Sequence, residues 1–106
     1  MASTPNGFAV KNYQQGPQRL LAACDAELLG TSHREGRFRL EVLPAFYDGL
    51  RVGESELVAY LRGCTVANLV GPRTVEVAIG LGLVDRKNIL VVQGVPHAQL
   101  LVMEGP

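Results

Sequence analysis

Apolar and polar residues alternate from Phe8 to Tyr13, with Phe8 and Val10 set against Ala9 and Lys11, which predicts a strand. Gln14-Gln15-Gly16-Pro17 is turn chemistry, and Arg19–Cys24 predicts a second strand that closes a hairpin. Asp25 is placed to cap a short turn through Glu27, Leu28 and Leu29, stopped by Gly30. Thr31–Gly36 is polar throughout and predicts a loop. Arg37–Leu43 then alternates cleanly, with Phe38, Leu40 and Val42 on one face and Arg37, Arg39 and Glu41 on the other. That is a half-buried strand with a charged outer face, ended by Pro44. Ala45–Gly49 predicts a turn carrying Phe46 and Tyr47, two aromatics expected to anchor the core beside a strand end.

The period changes to that of a helix over Ser55–Gly63, where Leu57, Val58 and Leu61 recur, Ser55 is placed to cap and Arg62 sits in the last turn. Thr65–Val70 is a short strand, apolar apart from Asn68. Gly71-Pro72 opens a second helix, whose face comprises Val75, Ala78, Ile79 and Gly82. Gly80 inside it costs roughly 1 kcal/mol against alanine, and the close approach of another backbone would explain it. Asp85–Asn88 is a charged turn. The unbroken apolar run Ile89–Val92 predicts a central strand, and Gln93–Pro96 turns the chain into a last strand, Ala98–Met103. Five or six short strands and two helices that do not strictly alternate predict an α+β fold, with a largely antiparallel sheet and both helices on one face. Residues 1–7 form an expected flexible leader and 8–106 a single domain.

The chain has 106 residues, 47% of them hydrophobic and 19% charged, enough apolar content to bury a core in one domain. The formal net charge is zero, so no global field draws it to nucleic acid or anionic lipid. Of the ten basic residues only Lys11 and Lys87 are lysines; the arginine forks leave room for a local phosphate-binding patch. Cys24 and Cys64 form no CxxC and are expected as buried thiols in a reducing compartment. No apolar run reaches membrane-spanning length and no signal-peptide pattern opens the chain, so a cytoplasmic protein without membrane partners is expected.

Three stretches carry candidate chemistry. Val70-Gly71-Pro72-Arg73 puts free N–H groups at a helix start beside a cation, which suits a phosphate or carboxylate, although no P-loop pattern is present. His33-Arg34-Glu35-Gly36 places a histidine and a carboxylate in one loop. Val95-Pro96-His97-Ala98-Gln99 sets His97 and Gln99 on the same side of a strand, where His97 has the chemistry of a general base; the Val95–Pro96 bond is open to either isomer. Cys24, Asp25, His33, Cys64 and His97 are metal-ligand types, but their spacing fits no finger or ribbon, and neither metal nor cofactor is expected.

The segments LLAACDAELLGTSHREGRFRLEVLPAFYDG, ESELVAYLRGCTVANLVGPRTVEVAIGLGLVD and NILVVQGVPHAQLLV, in that order, resemble the archaeal domain-of-unknown-function family number 424. The resemblance covers Arg19–Val102. It implies an archaeal cytoplasmic protein, with an association with information processing and an RNA-binding role as expectations. Its motif residues fall here on Arg34, Glu35, Gly36, Phe46, Tyr47, Asn68, Gly71, Pro96, His97 and Gln99.

Two functions are therefore expected to compete. One is a non-catalytic binding module for RNA or a translation-related protein, binding through Arg34, Glu35, Asn68, Gly71, Arg73, His97 and Gln99, with Arg37 and Arg39 as a nucleic-acid surface. The other is a small enzyme with His97 as general base and an anion held at Gly71. Either requires His97 and Gln99 to fold beside Asn68 and Gly71. A neutral, apolar-rich chain also admits a homodimer.

Overall fold

The computed structural model describes residues 7–102. The expected leader lies outside the described residues except for Gly7, as does Met103 of the expected last strand. The fold is α+β. Its strands are β1 (Phe8–Gln15), β2 (Gln18–Asp25), β3 (Ser32–Glu35), β4 (Phe38–Glu41), β5 (Leu50–Val52), β6 (Val66–Val70), β7 (Leu90–Val92) and β8 (Val95–Leu101). Its helices are α1 (Pro44–Tyr47), α2 (Glu54–Gly63) and α3 (Pro72–Gly80). Six strands form one sheet in the order β5-β1-β2-β6-β8-β7, antiparallel except for the central β2–β6 pair. β3 and β4 form a separate hairpin.

Two cores follow from strand alternation. On one face Val10, Leu21, Ala23, Leu69 and Leu100 pack with Leu57 and Leu61 of α2 and Val75 and Ala78 of α3. Fully burying a leucine such as Leu57 or Leu61 is worth roughly 2 kcal/mol. On the other face Ala9, Ala22, Cys24, Val70, Val92 and Val95 meet Leu40 of β4, Val42 just past it and Tyr47 of α1. The expected aromatic anchors are in place: Tyr47 is buried, and Phe46 stacks on Tyr13 with ring centroids 5.4 Å apart.

Several local expectations are corrected. Thr31–Gly36 is not a loop, because Ser32–Glu35 pairs with β4 and ladder bonds need no apolar side chains. β7 is an edge strand, not a central one; its apolar run is covered on one side only, and Val91 is 51% exposed. Gly53, not Ser55, caps α2: its N–H donates to Glu56 Oε1 at 2.8 Å, the returning half of a capping box. Gly80 meets no other backbone and ends α3. Gly82 lies beyond the helix at φ +76°, where Gly82 N–H donates to Ile79 O and Leu83 N–H to Ala78 O, closing a Schellman turn. Among the described residues every peptide bond is trans, Val95–Pro96 included.

Candidate functional site

β6 and β8 bring together the four residues on which either function depends. Their antiparallel register sets Asn68 opposite Gln99 and Val70 opposite His97, and Gly71 N–H donates to Pro96 O at 2.9 Å. Gln99 Nε2 donates to Asn68 Oδ1 at 3.1 Å. His97 and Gln99 share a face, as alternation requires. Burial lowers the His97 pKa below its ordinary value, so the ring is neutral at pH 7.

Gly71 faces elsewhere. It adopts φ +112°, and its helix start is filled from within by Asp25, the last residue of β2. Asp25 Oδ1 accepts from Thr74 N–H at 2.8 Å and Thr74 Oγ1 at 2.7 Å, and Oδ2 accepts from Arg73 N–H at 3.1 Å. An exogenous anion expected at Gly71 therefore meets a carboxylate already in position. Asp25 likewise does not cap the turn that follows it; the 3-10 turn Ala26–Leu28 has no side-chain cap. A Cβ on Gly71 would lie 2.5 Å from Asp25 Cγ, so glycine at this position is what admits the carboxylate.

Arg73 is also engaged internally. It bonds Glu27 Oε1 at 2.6 Å and Gly7 O at 2.9 Å, and its guanidinium carbon lies 4.8 Å from the Phe8 ring centroid. It braces β1, β2 and α3 on the helical side, away from His97.

Arg34 and Glu35 act at the hairpin through Gln93. Gln93 Oε1 accepts from Arg34 N–H at 2.9 Å, and Gln93 N–H donates to Glu35 Oε1 at 2.7 Å. Gln93 and Gly94 both have positive φ, as a two-residue hairpin turn of the mirror-image type requires. The reciprocal clasp offsets the cost of a non-glycine residue there. His33 Nε2 lies 2.9 Å from Thr31 Oγ1. Arg39 pairs with Glu41 at 2.9 Å, and Arg37 is exposed in the hairpin turn. The hairpin tip is thus pinned at the β7–β8 turn, the end of β8 opposite to Gln99.

A feature that residue motifs did not reveal is the rest of this sheet face. Register arranges its side chains in rows: Ala9–Cys24–Val70–His97–Leu90, then Lys11–Ala22–Asn68–Gln99, then Tyr13–Leu20–Val66–Leu101. The first row lies largely beneath the hairpin and α1. The third is half-buried to exposed, with Leu101 66% exposed. Its signal in sequence was alternation that continues past the covered part of each strand. Among the described residues, no cluster of three or more potential metal ligands forms, and no helix is long and apolar enough to cross a membrane.

Comparison with known proteins agrees with this architecture. The crystal structure of an uncharacterized conserved protein from Methanopyrus kandleri superposes with a TM-score of 0.76 at 24% sequence identity, covering 93% of this chain and 96% of that one. The likeness is one of fold. Among curated proteins none matches. The family model described as "Protein of unknown function (DUF424)" matches residues 13–103, from near the end of β1 onward, and the chain belongs to that family.

Proposed function

We propose that the protein is a non-catalytic binding module that takes single-stranded RNA on the uncovered part of the second sheet face. The observation that carries this reading is the adjacency of a polar row, Lys11–Ala22–Asn68–Gln99, and an apolar row, Tyr13–Leu20–Val66–Leu101. Sheet faces that bind single strands offer apolar or aromatic platforms for unstacked bases and amides for base edges. Here the platform is flanked by the Tyr13–Phe46 stack, with Lys11 Nζ 5.5 Å from the Tyr13 centroid. The Asn68–Gln99 bond leaves the Asn68 amide NH2 and the Gln99 carbonyl oxygen for a ligand. The enzymatic alternative loses its anion-holding element, since Asp25 fills the Gly71 helix start.

The test is fluorescence anisotropy with a labelled single-stranded RNA 12-mer at low salt. Binding is expected to weaken with salt as for about one phosphate contact, that of Lys11, a slope near −0.7. About tenfold loss is expected in Asn68→Ala/Gln99→Ala. No retention of RNA at low salt would end it.

A further inference from the structure

The outer edge of β8 is only half covered. Even-numbered residues of β8 turn their main-chain groups towards β6: Gly71 N–H donates to Pro96 O, and Val102 N–H donates to Thr65 O. In an antiparallel ladder the alternate residues point the other way. Val95 and His97 accordingly face β7, whose ladder ends at the Leu90–His97 pair. Gln99 and Leu101 point outward beyond that end, with no strand beside them among the described residues. The chain before β7 diverges through the 3-10 turn Arg86–Asn88 and leaves a groove of about 650 Å3 along this edge.

The free stretch is short, but its side chains lack two of the devices that normally discourage pairing. Ala98-Gln99-Leu100-Leu101 contains no charge and no proline, whereas edges of monomers are usually protected by one or the other. Exposed apolar side chains gather around it: Leu90 at 40%, Val91 at 51%, Leu101 at 66% and Val102 at 37%. The charges at the groove are paired among themselves, Arg86 with Glu76 at 3.0 Å and Lys87 with Asp85 at 3.8 Å. The groove therefore suits an uncharged, extended segment, and β8 itself is such a segment.

We infer that the β8 edge pairs antiparallel with β8 of a second copy. A two-fold axis at Leu100 sets Gln99 of each copy opposite Leu101 of the other, which matches the outward parity and forms four main-chain hydrogen bonds. The contact is isologous and closes at two copies. It joins two six-stranded sheets into one. The inference does not rest on the RNA reading, because it uses main-chain groups and the groove.

Sedimentation velocity across a concentration series tests it. The chain mass is 11.4 kDa, and the wild type is expected to sediment at twice that mass at tens of micromolar. Leu101→Pro removes an outward N–H that β6 does not use and should give a folded monomer by circular dichroism. Leu101→Lys keeps the N–H, sets two like charges in diagonal positions across the two-fold and should weaken dimerisation, most at low salt. Leu101→Ala should remain dimeric. A wild type that is monomeric throughout overturns the inference, including one that captures a synthetic HAQLLV peptide, which would assign the edge to a foreign strand. A dimer indifferent to both Leu101→Pro and Leu101→Lys also overturns it.

Discussion

Asp25 reaches across 49 residues of sequence to Thr74, its Oδ1 accepting both the N–H at 2.8 Å and the hydroxyl at 2.7 Å. The carboxylate is wholly buried, yet it is satisfied by the positive end of α3 and by Arg73 Nε at 3.6 Å. It ties the end of β2 to the element that follows β6, the other central strand. Replacing Asp25 by alanine strands three donors in the interior, a loss of about 3 kcal/mol. Thr74→Val removes one donor and should cost about 1 kcal/mol. Urea denaturation midpoints would show this order, and equal midpoints for the two variants would refute it.

Gly71 is the other half of that arrangement. Its φ of +112° with ψ 149° is a region reserved for glycine, and an added Cβ would collide with Asp25. Gly71→Ala should destabilise by more than about 2 kcal/mol. Part of this cost is the clash, so the double variant with Asp25→Ala should be less destabilised than the sum of the singles. Additivity in a double-mutant cycle would show that the two positions do not interact.

Gln93 holds the β3–β4 hairpin down. Gln93→Asn suits the positive φ but is one methylene too short for the bond to Arg34 N–H. Loss of about 1 kcal/mol locally predicts roughly fivefold faster amide exchange in β3 and β4, with the β2–β6 centre unchanged. Exchange rates in the hairpin equal to wild type would contradict the clasp.

These two anchors mark where the sequence stopped being readable. The alternation of Phe38, Leu40 and Val42 exposed one face of β4, and Gly71-Pro72 announced the start of α3. Motif order also anticipated Asn68 beside Gln99. Asp25, however, looks like a local cap, because nothing near it in sequence signals a partner so distant. Ser32–Glu35 has no apolar residue and becomes a strand only by pairing with β4. Ile89–Val92 is as apolar as a central strand, yet it sits at an edge where the hairpin covers one side. The uncovered rows depend on register across strands, which no single stretch encodes.

Burial pushes the Cys24 thiol up to about 12 from 9.0, and the Tyr47 hydroxyl up to about 12 from 10.0. The native state thus keeps these protons where the unfolded chain loses them. Their contribution to stability is complete below pH 9 and is lost as pH rises towards 12. The urea midpoint should fall between pH 9 and about 10.5, and fall less in Cys24→Ala. In the same pH range below 9, neither buried cysteine should react with a thiol reagent until the protein unfolds. A midpoint that holds level, or prompt labelling of the native protein, would contradict these expectations.

Amide chemical-shift mapping with a single-stranded RNA 12-mer reads the proposed ligand surface residue by residue. The largest shifts are expected at Lys11, Tyr13, Leu20, Asn68, Gln99 and Leu101, including the side-chain amides of Asn68 and Gln99. Absence of shifts at low salt, or shifts confined to the helical face around α2 and α3, would contradict it.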